Sequence, residues 1–164
     1  MRLISIPPIR RRRAIRGCSA PSTMAWRKPR DDALRFAATF RPGNLRASFG
    51  SLPLVQDQLS EIETLLDVNE RLLGSIAGDA DAGFDAGQSP GRVRYVVIEN
   101  AIRAVEIAVR IAGQHGLNRD YPLERRHRDV IGGRTRAPNG AIVRAAAAKA
   151  ALATYRHPEE GKAP

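Results

Sequence analysis

Apolar residues recur at helical spacing over most of the chain after residue 53, and this period constrains the fold more than any other feature. One stripe runs from Val55 to Ile76 and a second from Val93 to Ile111. Such stripes form amphipathic helices that bury their apolar faces against one another. The 5% aromatic content also favours an aliphatic helical core over an aromatic-rich sheet. The sequence therefore predicts an all-α fold, an up-down helical bundle of three long helices plus a short one.

Helix-breaking residues set the expected ends of these helices. Pro53 suits a first helical turn, and Gly78 is a natural stop. Three amphipathic helices leave part of their apolar surface uncovered, so we expect another chain to cover it. The predicted elements are a helix from Pro53 to Ala77, a second from Arg92 to Ala112, a short helical turn from Tyr121 to Arg125, and an alanine-rich helix from Asn139 to Tyr155.

The loop between the first two helices contains aspartates at positions 79, 81 and 85. Their spacing is faintly similar to that of a calcium-binding loop, but the bidentate glutamate that completes such a loop is missing. We therefore interpret residues 78–91 as a plain connector. No metal-binding residues are predicted.

The formal net charge of +10 comes entirely from the first third of the chain. Residues 1–50 contain 12 Lys or Arg and 2 Asp or Glu, whereas the remaining residues contain 15 of each kind. Proline and arginine are scattered here without a sustained period, which predicts an irregular basic tail, disordered or non-native. Leu34, Phe36 and Phe40 favour only a short helical turn from Asp31 to Phe40. The expected boundaries are a tail at 1–50, a helical bundle at 51–157 and a frayed end at 158–164.

The basic tail has several alternative interpretations. It could be an arginine-rich transit peptide, a non-specific nucleic-acid binder, or the product of a truncation, a frameshift or a misplaced start. Because it has no recognition fold, nucleic acid is not the expected partner. No run approaches the roughly 18 apolar residues of a membrane helix, so no membrane partner is expected. The single cysteine, Cys18, agrees with a reducing compartment, and we expect a cytoplasmic protein.

The most specific motif follows the second helix. It reads Tyr121-Pro-Leu-Glu-Arg-Arg-His-Arg-Asp129 and comes shortly after a glycine turn. This order resembles the C-terminal signature of acyl-CoA dehydrogenases, in which a glycine-rich turn precedes a Pro-x-Glu-Arg-x-x-Arg-Asp segment. The similarity extends from Leu54 to Leu152 and includes the branch with flavin-dependent monooxygenase relatives. It implies the last helical domain of an FAD-dependent oxidoreductase that acts on CH–CH groups of acyl-CoA thioesters.

The resemblance also points to candidate cofactor-binding residues. In the family, the glycine turn reaches the FAD of a neighbouring subunit, and its motif reads Gln-x-x-Gly-Gly. The corresponding positions here are Arg110, Ile111, Ala112, Gly113 and Gln114, so Gly113 alone matches. We infer separately that Arg110 could meet a phosphate through its guanidinium and that Gln114 could offer an amide nearby. FAD is thus the expected cofactor, with Arg110, Gly113 and Gln114 as its candidate contacts.

No catalytic base is visible in the chain. The glutamate with which many family members remove a proton α to the thioester carbonyl corresponds to Ala137, and alanine cannot act as a base. The charged residues of the motif suit a salt-bridge network that pins the turn to the bundle better than they suit acid–base catalysis. These residues are Glu124, Arg125, Arg128 and Asp129.

Two main functional interpretations follow. The first is a truncated flavoprotein that is not catalytic alone and that meets FAD and acyl-CoA only when assembled. Its partner would be further copies of itself or a full-length paralogue, which it contacts through the face of the bundle. The second is a non-catalytic helical module for oligomerisation or interaction. Nucleic-acid binding by the tail remains a third alternative.

Overall fold

A computed structural model of the chain describes residues 27–84, 89–118, 121–135 and 138–156. Every regular element in these residues is helical, which confirms the predicted all-α class. The elements are α1 (Arg27–Thr39), a 3-10 turn (Phe49–Ser51), α2 (Pro53–Asp81), α3 (Ser89–Ala112), α4 (Gln114–Leu117), α5 (Pro122–Ile131), a second 3-10 turn (Gly132–Thr135) and α6 (Gly140–Arg156).

Helices α2 and α3 pack antiparallel at the centre of the bundle. Arg103 Nε donates to Glu61 Oε1 at 2.9 Å, and Asn69 Nδ2 donates to Val97 O at 3.1 Å, so residue numbers fall along one helix as they rise along the other. Small side chains on the buried face of α3 allow neighbouring helices to approach closely. The buried residues of α3 are Val97, Ala101, Ile102, Ala104, Val105, Ile107, Ala108, Ile111 and Ala112.

The two central helices are longer than the sequence predicts. Helix α2 continues past the expected stop at Gly78 to Asp81, and α3 begins at Ser89 instead of Arg92. A glycine inside a helix costs only about 1 kcal/mol relative to alanine. Burial of the apolar face of α2 against α3 outweighs this cost, so Gly78 lies within the helix.

Helix α1 corrects the expected start of the folded part at residue 51. Arg27–Thr39 is a 13-residue helix in which Ala33, Phe36 and Ala37 are buried in the common core. The sequence prediction considered the apolar surface of this segment alone, without the helices that contact it. In the structure α1 packs against α2, α3 and α5, and these helices provide the surface that an isolated short helix lacks. Residues 1–26 lie outside the described residues.

Two arginines of α1 form ion pairs with glutamates of α2. Arg27 pairs with Glu70, and Arg30 Nε donates to Glu63 Oε1 at 2.6 Å. All four side chains are about a third or more exposed. Exposed pairs contribute at most about 1 kcal/mol each. They therefore orient α1 along α2, while the buried apolar residues supply most of the stabilisation.

A mostly buried ion pair joins α1 to α5. Asp32 is 7% exposed, and its Oδ2 faces Nη1 of Arg126. Neither atom forms a hydrogen bond of good geometry, so the contact between them is ionic. Burial raises the pKa of Asp32, and the charge of Arg126 opposes this shift without cancelling it. Because loss of one partner would leave the other charge buried and uncompensated, the pair strongly favours one position of α1 on α5.

Asn69 provides a buried polar link between α2 and α3. Its side chain is fully buried. The amide nitrogen donates to Val97 O at 3.1 Å, and Oδ1 accepts a hydrogen bond from Asn100 Nδ2 at 2.9 Å. A buried amide is tolerated only where such partners exist, so Asn69 favours one register of α2 on α3.

Helix α6 is the least buried long helix among the described residues. It confirms the predicted last helix, and Asn139 caps it by accepting a hydrogen bond from the Ile142 amide at 3.1 Å. Its main contact is with α3, and none of its residues from 140 to 155 is buried. No helix in the described residues is long and apolar enough to cross a membrane.

Replacing Asn69 with Leu should destabilise the bundle, because the Val97 carbonyl and the Asn100 amide then lose their buried partner. We expect a loss of about 1–3 kcal/mol in the free energy of unfolding, measured by urea denaturation followed by circular dichroism. Thr64→Ala, an exposed change on the same helix, serves as the control and should stay within about 0.5 kcal/mol of the unchanged protein. An unchanged midpoint for Asn69→Leu would contradict the proposed role of this amide.

Replacing Asp32 with Asn should reveal the raised pKa of this carboxyl. A raised pKa means that the folded state holds the proton more tightly, so the contribution of Asp32 to stability falls as pH rises above its ordinary value of 3.8. The stability of the unchanged protein relative to Asp32→Asn should therefore decrease as the pH rises from below 3.8 through the pKa of Asp32 in the folded state. Urea midpoints measured against pH test this, with the exposed Asp31→Asn as control. An increase would mean that Arg126 outweighs burial.

Candidate cofactor site

The glycine turn at the end of α3 is the candidate cofactor site. Gly113 has φ 56° and ψ −134°, a conformation that a residue with a Cβ rarely adopts. Its amide is already occupied, because it donates to Val109 O at 2.9 Å. No atom lies within 4 Å of the place where a Cβ would be, so the backbone at Gly113 is open to solvent.

Gly116 has a different role from Gly113. It is buried, and a Cβ there would lie 3.0 Å from the Ala112 Cβ and 3.1 Å from Val109 O. Both distances are tighter than ordinary contacts, so a side chain at this position would push the turn away from the end of α3. Gly116 therefore shapes the turn, while Gly113 exposes it.

Aromatic residues hold the turn against α1 and the first 3-10 turn. The His115 ring lies 5.6 Å from that of Phe36 and 5.3 Å from that of Phe40, measured between centroids. Phe40 in turn meets Phe49 edge to face at 5.9 Å, and Tyr121 meets Phe36 in the same way at 6.3 Å. The end of α1, the Phe49–Ser51 turn and the glycine turn thus share one end of the bundle.

Exposed arginines lie in the two segments that meet at this end of the bundle. Arg110 and Gln114, the two candidates beside Gly113, are both exposed, as are Arg41 and Arg46 in the segment that follows α1. Residues 39–52 and 109–118 contain no aspartate or glutamate. The structure thus brings the three predicted site residues together at a positively charged, open turn. These features suit the diphosphate part of FAD in charge and in steric access.

Sequence reasoning missed the contribution of residues 40–49 to this site. They were assigned to the tail, although the aromatic spacing of Phe36 and Phe40 gave a helical signal. Their contacts reach His115 and Tyr121, which lie far away in the sequence. Only the three-dimensional structure shows that the segment carrying Arg41 and Arg46 packs, through Phe40, against the glycine turn.

The charged motif after the turn forms local ion pairs on α5. Arg128 Nε lies 2.8 Å from Glu124 Oε1, and Arg125 Nε lies 4.0 Å from Asp129 Oδ2. The sequence predicts that this network pins the turn to the bundle. Each pair instead joins residues four apart on one helix, so neither pair makes that contact. That contact is made by Arg126, which sequence reasoning passed over. Its place three residues after buried Leu123 was the available signal, because such residues share a helix face.

A second group of polar residues lies near the other end of α3. Arg134 donates two hydrogen bonds to Glu99, at 3.0 and 2.7 Å, and these bonds lower the pKa of Glu99. They border a cavity of about 20 Å³, room for about one water molecule. Residue 99 is about 21 Å from Gly113 along the helix axis at 1.5 Å per residue, so this cavity is separate from the turn.

Two further points concern the catalytic position and a metal site. Ala137, at the position of the family glutamate, lies outside the described residues. No group of three His, Cys, Asp or Glu side chains in the described ranges is placed to hold a metal ion.

Comparison with known proteins identifies the family. Residues 22–152 match the family described as acyl-CoA dehydrogenase, C-terminal domain, and the chain belongs to the acyl-CoA dehydrogenase family. A Bacillus subtilis protein, YdbM, which carries the name of an acyl-CoA dehydrogenase, is 32% identical over 128 residues. This match covers 74% of the present chain and 33% of YdbM. The chain thus spans about a third of the length of this relative.

Solved structures show the same fold. The acyl-CoA dehydrogenase of Geobacillus kaustophilus superposes with a TM-score of 0.72 at 17% identity, over 78% of this chain and 33% of that one. The FAD complex of PigA superposes with a TM-score of 0.68 at 16% identity, over 74% and 31% of the respective chains. At these identities the likeness shows the fold alone. The match confirms the helical C-terminal domain that the motif after α3 predicted.

Replacing Gly116 with Ala should destabilise the turn, because the new methyl group would collide with Ala112 and with the Val109 carbonyl. We expect a loss of about 1–3 kcal/mol in unfolding free energy, measured by urea denaturation. Gly74→Ala is the matched control, since Gly74 is helical with open space around it. That change should stabilise the protein by about 0.5–1 kcal/mol. Equal effects of the two changes would contradict the close packing inferred at Gly116.

Proposed function

We propose that this chain is the FAD-contacting helical part of an acyl-CoA-dehydrogenase-type oxidoreductase and that it works within a larger assembly. The observation that carries the proposal is the position of Gly113. It is an open backbone site flanked by exposed Arg110 and Gln114, and the segments 39–52 and 109–118 at this bundle end carry further arginines and no carboxylate. Such a place attracts a diphosphate through charge and allows it to approach the backbone closely.

FAD, when bound, would supply the acceptor for the two electrons removed from the acyl chain. The residues of this chain would bind and orient the diphosphate end of the cofactor. The Arg110 guanidinium would donate charge-assisted hydrogen bonds to phosphate oxygens, and the Gln114 amide would add a neutral donor. The rigid aromatic cluster of Phe36, Phe40 and His115 would hold the turn in position, so that little motion is lost on binding.

Catalysis is not proposed for the chain alone. Ala137 replaces the carboxylate that would take the substrate proton, and the cavity near Glu99 is far too small for a flavin ring. Acyl-CoA is proposed as a substrate only of the assembly. The partner that completes the site is a further copy of this chain or a longer family member, and the proposed location is the cytoplasm.

A non-catalytic helical module is the second candidate function. The observation that favours it is α6, a 17-residue helix with no buried residue from 140 to 155. Flavin binding discriminates the two candidates, because a pure assembly module has no need of the exposed arginines at the glycine turn. Nucleic-acid binding depends on residues 1–26, which lie outside the described residues, and we do not propose it.

Replacing Arg110 with Glu should weaken flavin binding if the turn holds the diphosphate. Loss of a charge-assisted hydrogen bond is worth about 1.5–3 kcal/mol, so we expect the dissociation constant to rise about 10- to 100-fold. Quenching of FAD fluorescence on titration with protein measures this constant. Arg92→Glu is the matched control, because it makes the same charge change on the same helix, about 27 Å away.

Two results would contradict this proposal. The first is the absence of any flavin binding by the unchanged protein, which would leave the assembly module as the function. The second is an equal loss of affinity in Arg110→Glu and Arg92→Glu, which would show that overall charge, and not the glycine turn, attracts the cofactor.

A further inference from the structure

His115 is a titratable side chain at the glycine turn, and the proposed function gives it only a packing role. It follows Gly113 by two positions, so the Cα atoms of the two residues lie within about 7 Å of each other. The side chain is exposed, so a ligand at the turn can reach its ring. A neutral imidazole donates one hydrogen bond, and a protonated imidazole donates two. His115 is thus placed to contact the same ligand as Arg110 and Gln114.

Two phenylalanines hold the His115 ring in place. The ring centroid lies 5.6 Å from that of Phe36 and 5.3 Å from that of Phe40, and the ring planes are inclined by 44° and 60°. Because these contacts already fix the ring, little of its freedom is lost when a ligand binds. A cation within about 6 Å of an aromatic ring is attracted by the face of that ring. These surroundings therefore accept the imidazolium as well as the neutral imidazole.

His115 differs from the other charged residues of the two segments that meet at the turn. Segments 39–52 and 109–118 also carry Arg41, Arg46 and Arg110, and they contain no aspartate or glutamate. Arginine keeps its charge at every pH at which a protein is folded, whereas histidine ordinarily changes its charge between about pH 5 and 8. His115 is therefore the residue of these segments whose charge varies near neutral pH.

Helices α1, α3 and α5 pack around α4 or the His115 ring and add charges of both signs. Two of their carboxylates are paired, Asp32 with Arg126 and Glu124 with Arg128. Burial raises the pKa of Asp32 from its ordinary value of 3.8, so this residue requires its own control in a pH experiment. The charged and titratable groups in the last two turns of α1 and α3, at Tyr121 and along α5 are Asp32, Arg35, Glu106, Arg110, Tyr121, Glu124, Arg125, Arg126, His127, Arg128 and Asp129.

His127 is the other histidine among the described residues, and it lies farther from the turn. Helix α5 begins beside the turn, where Tyr121 meets Phe36. It leads to the second 3-10 turn, where Arg134 donates to Glu99. His127 lies midway along α5, about 8 Å from Pro122 along the helix axis. A change at His127 is therefore a matched control for a change at His115.

We propose that His115 contacts the diphosphate of FAD and that protonation of this histidine strengthens binding of the cofactor. The inference rests on the proposed function, because it concerns the same turn. In the free protein, Arg110 and the arginines of the neighbouring segment oppose a further positive charge. The two negative charges of a bound diphosphate offset this repulsion and favour the imidazolium, which donates charge-assisted hydrogen bonds. Affinity for FAD should therefore fall as the pH rises from about 5.5 to about 8.

The dissociation constant of FAD for the full chain, measured by fluorescence quenching across this pH range, tests the proposal. We expect the constant to rise about three- to tenfold between the acidic and the basic end, the effect of one partly exposed charge on a diphosphate. The diphosphate of FAD keeps its two charges throughout the range, so the titrating group belongs to the protein. Riboflavin, which has no diphosphate, serves as the control ligand and should show no such change.

Two substitutions at His115 separate its charge from its packing. His115→Gln keeps a polar side chain but cannot be protonated, so its affinity for FAD should not vary over the range. His115→Lys carries a permanent charge and should bind FAD near pH 8 about as tightly as the unchanged chain does near pH 5.5. His127→Gln and Asp32→Asn are the controls, and both should retain the pH dependence. Circular dichroism checks that each variant stays folded, and His115→Asn replaces His115→Gln if the helical signal falls.

Proton uptake provides a direct measurement on the unchanged chain. Calorimetric titration with FAD near the middle of the range, in two buffers of different ionisation enthalpy, gives the number of protons taken up on binding. A three- to tenfold effect corresponds to an uptake of about 0.25 to 0.5 proton per FAD. His115→Gln should take up none, whereas loss of packing alone would leave the uptake unchanged.

Several results would overturn the role of His115. They are equal pH dependence in the unchanged chain and in His115→Gln, equal affinities of His115→Gln and His115→Lys near the basic end, and loss of the pH dependence in His127→Gln or Asp32→Asn. Binding of FAD that does not vary with pH in the unchanged chain would overturn this inference and leave the proposed function standing. The absence of FAD binding at every pH would contradict the proposed function and this inference together.

Discussion

The close antiparallel packing of α2 against α3 is the contact on which the other elements depend. Alanines on α3 allow neighbouring helix backbones to approach closely. The buried amide of Asn69 forms its hydrogen bonds in this register of α2 on α3. Helix α1 then packs on this pair and buries Phe36, and α5 packs on it and buries Leu123. Isolated helices of this length are marginal in water, so each short helix gains its stability from this central pair.

The two ends of α3 carry different kinds of surface. Its C-terminal end meets the glycine turn, where open backbone, aromatic rings and exposed arginines come together. Near its N-terminal end, Tyr95 contacts Arg144 of α6, and Ile142, Leu152 and Tyr155 of that helix are exposed. Helix α3 thus separates the polar surface at the glycine turn from the exposed helix α6. This separation makes it possible to test cofactor binding and assembly independently.

Two positions show the division between local and long-range information at the candidate site. Gly113 was recognisable as the end of a helix from the sequence, and its positive φ and open surroundings agree with a special turn. The role of Arg110 and Gln114 beside FAD stays a prediction. The aromatic contacts of His115 were not predictable from the sequence. They involve Phe36 and Phe40, which lie in a segment whose scattered arginines and prolines predict an irregular tail.

The sequence by itself determined helices α2, α3, α5 and α6 and the family. Helical periodicity is a local property, expressed between residues three or four apart, and the motif after α3 is contiguous. Only the tertiary structure decided that α1 belongs to the core, that Asp32 meets Arg126, and which faces of α2 and α6 stay uncovered. These features depend on which surfaces meet when the helices pack. That choice minimises exposed apolar area over the whole bundle, so no single segment of the sequence contains it.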